Sequence, residues 1–86
     1  NTLASGVAVF PNPTSGIFTI NVNANVGDMI IEVVDMEGRV VLSSNEKNVQ
    51  AGFSKPISLT SLPNGVYMVN LYAGKEHATH AVTLTK

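Results

Sequence analysis

His77 and His80 are the only imidazoles in this 86-residue chain. Both lie in a stretch with a period of two, so a spacing of three turns them to opposite faces of a strand. One metal ion needs converging ligands, and this spacing instead marks both as solvent-exposed strand residues. Asp35 and Glu37 flank a turn, but a calcium site wants several oxygen ligands in a rigid loop. Aspartate at the first position of a type I turn already has a structural task. The hydroxyls offer no better start: there is no Gly-x-Ser-x-Gly elbow and no acidic partner placed for a histidine. The glycines sit singly at turns, so no phosphate-cradling loop is formed. Asn12-Pro13-Thr14 has proline in the middle position and is no glycosylation acceptor. Tyr67 and Tyr72 fall in opposite phases, which makes a poor sugar platform and assigns Tyr67 to the core. These residues point to neither an enzyme nor a cofactor site.

Composition narrows the classes further. A chain of this length makes one domain and buries only about 60–65% of its unfolded surface. Charged residues are 13% of the sequence and apolar residues 44%, against about 25% charged in an average domain. A charge-poor surface rich in Ser, Thr and Asn suits secreted and surface-exposed β-domains. The net charge is −1, with two tyrosines, three phenylalanines and no tryptophan, so no basic, aromatic-studded stripe awaits nucleic acid. No apolar run approaches the roughly 20 residues that span a bilayer as a helix. The absence of cysteine excludes a disulfide framework and thiol chemistry. The start at Asn1, without a signal-like segment, reads as a piece cut from a longer protein.

The elements that carry these residues are short strands. Residues 1–6 read as a linker remnant ahead of a domain spanning 7–86. Val7 to Phe10 make a first strand, stopped by Pro11 and Pro13. Two missing backbone donors confine that segment to an edge or a crossover between sheets. Residues 16–23 form the cleanest alternation, with Phe18, Ile20 and Val22 on one face. Residues 25–28 read as a turn and 29–35 as a strand. Met36-Glu37-Gly38 is a three-residue hairpin loop with Gly38 left-handed, and 39–43 is its return strand. Residues 45–54 are a loop or ragged edge strand. Ile57 and Leu59 point inward from a strand over 55–60. Pro63, Asn64 and Gly65 suit the second to fourth positions of a β-turn. That turn feeds a central strand in which Tyr67, Val69 and Leu71 share a face. A turn at 74–76 leads to a last strand over 77–85, with Val82 and Leu84 in one phase. No segment shows a helical period. Seven short strands with turn signals every 8–12 residues or so predict an all-β, antiparallel sandwich.

Three motifs in this order resemble the C-terminal sorting domain of the type IX (Por) secretion system, type A. They are Phe10-Pro11-Asn12-Pro13-Thr14-Ser15-Gly16; Val33-Val34-Asp35-Met36-Glu37-Gly38-Arg39-Val40-Val41; and Leu59 to Leu62 with Pro63-Asn64-Gly65-Val66-Tyr67. The resemblance covers residues 7–86 and implies an immunoglobulin-like sandwich. It also implies a secretion signal that directs an attached N-terminal cargo across the outer membrane of Bacteroidetes-type bacteria. The implied partners are the outer-membrane components of that system and a sortase-like peptidase, which would cut in or before residues 1–6. The cargo would be periplasmic in transit, then extracellular or on the cell surface.

Carried over by position, Pro11, Pro13, Gly16, Asp35, Gly38, Arg39, Gly65 and Tyr67 match family motifs and have mainly structural roles. The resemblance places recognition by the machinery on the last strand, at His80, Val82, Leu84 and Lys86. His80 stands where a lysine is often found. A threonine-rich terminal strand is expected to offer backbone groups to a receptor by strand addition, and an unpaired edge allows a dimer. A competing reading is an immunoglobulin-like accessory module of a secreted enzyme, which binds carbohydrate or spaces domains.

Overall fold

The computed structural model describes residues 6–86, and the expected alternation builds it. The seven strands are β1 (Val7–Phe10), β2 (Ile17–Val22), β3 (Gly27–Val34), β4 (Val40–Val49), β5 (Phe53–Ser58), β6 (Gly65–Ala73) and β7 (Glu76–Leu84). They form a three-stranded sheet, β1-β2-β5, and a four-stranded sheet, β4-β3-β6-β7. Every strand pair is antiparallel, and there is no helix among the described residues.

The core lies between the sheets. Phe18, Ile20 and Val22 from β2 face Met29, Ile31 and Val33 from β3 and Val69 and Leu71 from β6, all essentially without solvent contact. Burying a ring such as Phe18 contributes about 1.5–3 kcal/mol. Tyr67 joins this core, and Tyr72, in the opposite phase, is exposed.

The β3–β4 hairpin has the three-residue loop that the sequence predicts. Gly38 N–H donates to Asp35 O at 3.0 Å and Asp35 N–H to Arg39 O at 2.9 Å, and Gly38 has φ +85°. Asp35 Oδ1 accepts the N–H groups of Glu37 and Arg39 at 2.9 and 3.0 Å, while Arg39 Nε reaches Oδ2 at 3.0 Å. The hairpin at Gly74-Lys75 is tighter. Ala73 pairs with Glu76 and Gly74 has φ +62°, a two-residue loop led by glycine.

Several local expectations are corrected. The residue-25–28 turn is shorter, because Gly27 already pairs with Val49. β4 runs on past Ser43 to Val49 as the edge of the larger sheet. The hydrogen-bonded turn ahead of β6 is residues 59–62, closed by Leu62 N–H to Leu59 O at 3.0 Å; Gly65 is the first residue of the strand. Gly6, read as linker, accepts Asn23 N–H at 2.7 Å and so extends the β1–β2 pairing. Residues 1–5 of that linker lie outside the described residues.

Away from β7, the two sheets are tied by a pair of side chains. Lys55 on β5 contacts Glu46 on β4 at 3.1 Å, and the Ser44 hydroxyl donates to the same carboxylate oxygen at 2.6 Å.

Candidate functional site: a composite edge at the last strand

The first and third sequence motifs are far apart in the chain and meet around the end of β7, while the second, in the β3–β4 hairpin, borders the third. After Phe10 the chain leaves the smaller sheet, as the two prolines require, and Thr14 bridges in parallel to Leu84 on the larger one. Thr14 N–H donates to Thr83 O at 2.8 Å and Thr14 O accepts Thr85 N–H at 2.9 Å. The side chain of Asn12 continues the ladder. Its Nδ2 donates to Ala81 O at 2.7 Å and its Oδ1 accepts Thr83 N–H at 3.1 Å. Four outward backbone groups of the last strand are therefore occupied. The expected strand addition is corrected for residues 81–85, where the chain's own first motif already holds the edge.

Thr14 is the one buried polar residue among those described, and its hydroxyl is fully engaged. It donates to Ile17 O at 2.8 Å and accepts Gly16 N–H at 3.2 Å. Gly16 O in turn accepts Leu59 N–H at 2.7 Å. A Cβ on Gly16 would stand 2.7 Å from Thr60 Cγ2, so any larger residue there would have to displace the Thr60 side chain.

The segment before β6 completes the site. Tyr67 OH donates to Pro63 O at 2.6 Å, a tyrosine corner that fixes the entry into the strand. Asn64 Oδ1 accepts Lys86 N–H at 3.0 Å. The Lys86 ammonium donates to Thr60 O at 3.2 Å and Leu62 O at 2.5 Å.

Of the four residues placed in recognition, the structure brings Lys86 onto the pre-β6 turn. Val82 and Leu84 point into the core and are fully buried. His80 is half-buried in the same inward phase, which corrects its expected exposure. His77 is exposed, with its ring stacked on Tyr72 at 4.9 Å between centroids. Pro11, Pro13, Gly16, Gly65 and Tyr67 line the first and third motifs around this edge, whereas Asp35, Gly38 and Arg39 build the β3–β4 turn. Asp35 and Met36 border a groove of about 250 Å³ shared with Pro63 to Tyr67. Sequence reading missed Asn12 and Asn64, whose roles depend on partners 71 and 22 positions away.

The electrostatics of the domain are mild. The backbone N–H of Arg39, followed by that of Glu37 and the Arg39 side chain, holds the Asp35 carboxyl below its ordinary range. The Ser44 hydroxyl, then Lys55, lowers Glu46 in the same direction. No group of three or more potential metal ligands occurs among the described residues.

These strands and corners define an immunoglobulin-like sandwich. The fold is similar to that of a DUF3244 family protein from Bacteroides vulgatus, described as an immunoglobulin-like beta-sandwich. The TM-score is 0.78 at 24% identity over 93% of this chain and 84% of the other. No curated protein matches. The family model of the secretion system C-terminal sorting domain matches residues 8–85, and the chain belongs to that family. It is a C-terminal secretion signal of the type IX system, the mark of a secreted or cell-surface protein in Bacteroidetes.

Proposed function

We propose that the domain works as a folded, non-catalytic docking signal. The composite edge around Lys86, rather than a linear tail, is its recognition element. The observation that carries this reading is the docking of Lys86 onto Thr60, Leu62 and Asn64, beside the first motif on β7. Lys86 and the exposed face of β7 meet the outer-membrane components. His80, Val82 and Leu84 hold that strand in register from within. A cargo precedes β1, crosses the periplasm with the domain, and is freed when a sortase-like peptidase cuts in or before residues 1–6.

Export of a reporter tests the reading. Residues 1–86 are fused behind a signal peptide and a fluorescent protein, with and without residues 80–86. Both fusions are expressed in a host with a working type IX system and in one without it. Extracellular reporter is expected only from the intact fusion in the competent host. A folded intact fusion retained in the periplasm of that host would overturn the reading and favour the accessory module.

A further inference from the structure

Two open sheets have four edges, and an unguarded edge pairs with another chain. Three of the four carry recognisable guards. β1 is four residues long and runs into Pro11. β5 carries Lys55 and Pro56, with Pro56 opposite Thr19, so one ladder donor is missing and a charge sits beside it. β4 carries Glu46 and Lys47. It also has register shifts near both ends and a left-handed Asn48 at φ 54°. β7 has only Glu76, at its first position. It pairs with β6 without a break from Ala73–Glu76 to Gly65–Leu84, and residues 77–85 contain no proline and no Lys, Arg, Asp or Glu.

What β7 has is Asn12. A primary amide presents a donor and an acceptor on one rigid plane, the pair that a neighbouring strand's peptide group would present. Asn12 places them on Ala81 O and Thr83 N–H, and Thr14 supplies the next pair from its backbone. We infer that Asn12 is an edge guard: its amide fills the β7 ladder sites that a second copy of this chain would otherwise pair with. Antiparallel self-pairing of β7 about a two-fold axis at Ala81 sets Thr79 opposite Thr83 and His77 opposite Thr85. No pair of like formal charges opposes that alignment, so the barrier is the first motif, led by the Asn12 amide on Ala81 O and Thr83 N–H. The Thr14 backbone behind it, on Thr83 O and Thr85 N–H, is what a second copy must then displace. The inference concerns association of the folded chain and stands whether or not the domain directs export.

The test compares the wild-type chain with Asn12→Ala and with the double variant Asn12→Ala/Ala81→Lys, which sets two lysines face to face on that axis. Mass is followed by light scattering across a concentration series, and amide hydrogen exchange is read at Thr83 and its neighbours. The wild type is expected to stay monomeric. The Asn12→Ala chain keeps its fold, loses about tenfold of Thr83 protection when dilute, and doubles in mass on concentration as the Thr83 amide regains protection and the outward Thr79 and Ala81 amides gain it. The double variant returns to monomer. An Asn12→Ala chain that unfolds, stays monomeric, or dimerises without protecting those amides overturns the inference. So does a wild type already paired through β7, or a double variant that still dimerises.

Discussion

The Lys86 ammonium lies 2.5 Å from the carbonyl oxygen of Leu62, a residue 24 positions earlier that ends the turn ahead of β6. It also reaches Thr60 O at 3.2 Å. One cation thereby gathers two carbonyls of a single turn and fastens the end of β7 to the entrance of β6. Lys86→Gln shortens that reach and removes the charge. The expected loss is about 1 kcal/mol of stability, from exposed hydrogen bonds to a charged donor, measured by urea unfolding with an unchanged slope. Because the fold is retained, reduced export from this variant would separate recognition from stability.

Gly16→Ala is expected to destabilise by about 1–3 kcal/mol, since the new methyl meets Thr60 Cγ2 at 2.7 Å and overpacking on that scale forces a shift. Thr60→Ser in the Gly16→Ala background removes the opposing methyl and keeps the hydroxyl that meets Ser58 at 3.0 Å. Thermal unfolding of the two single variants and the double should show the loss partly recovered. Simple additivity would mean that the contact is not its source.

Tyr67→Phe keeps the ring in the core and deletes the bond to Pro63 O. The carbonyl stays near solvent, so about 1 kcal/mol is the expected loss, again read from denaturant unfolding. A loss of several kcal/mol would show that the corner holds more of the sheet than its single bond.

Acid should weaken the domain in a defined direction. Asp35 and Glu46 both have depressed native pKa values, so the native state binds protons less readily than the unfolded chain. Their stabilisation is fully present above the unfolded-state values, about 4 for both residue types. It falls away as pH drops through the native values. Unfolding at pH 7 and near pH 3 should show the lower stability in acid, with a smaller difference in Asp35→Asn and Glu46→Gln.

What the sequence made legible follows from how local each signal is. Phe18, Ile20 and Val22 alternate with polar neighbours because one face of β2 is buried, and Gly38 betrays its turn through a conformation that few other residues tolerate. Residues 45–49 carry no such signal. At this edge the inward face of β4 is only half-buried and is held by Ser44 and Glu46 rather than by apolar side chains, so Asn45 to Lys47 look like loop. At residues 63–65 the signals were strong and pointed elsewhere. Pro63 lends its carbonyl to Tyr67, Asn64 lends its side chain to Lys86, and Gly65 begins a strand. Asn12 was opaque for a different reason: a long-range side-chain bond to backbone leaves no periodicity around either partner.

The parallel bridge from Thr14 to Leu84 also sets a clock. Thr14 leaves the ribosome some seventy residues before its partner, and β6 emerges with one side of its ladder still open. Synthesis must therefore reach Thr83 before Asn12 can close both its bonds and Thr85 before Thr14 can close both of its own. A chain broken off earlier has every residue of its first motif and none of the composite edge, so the assembled edge is a physical record that translation ran through β7.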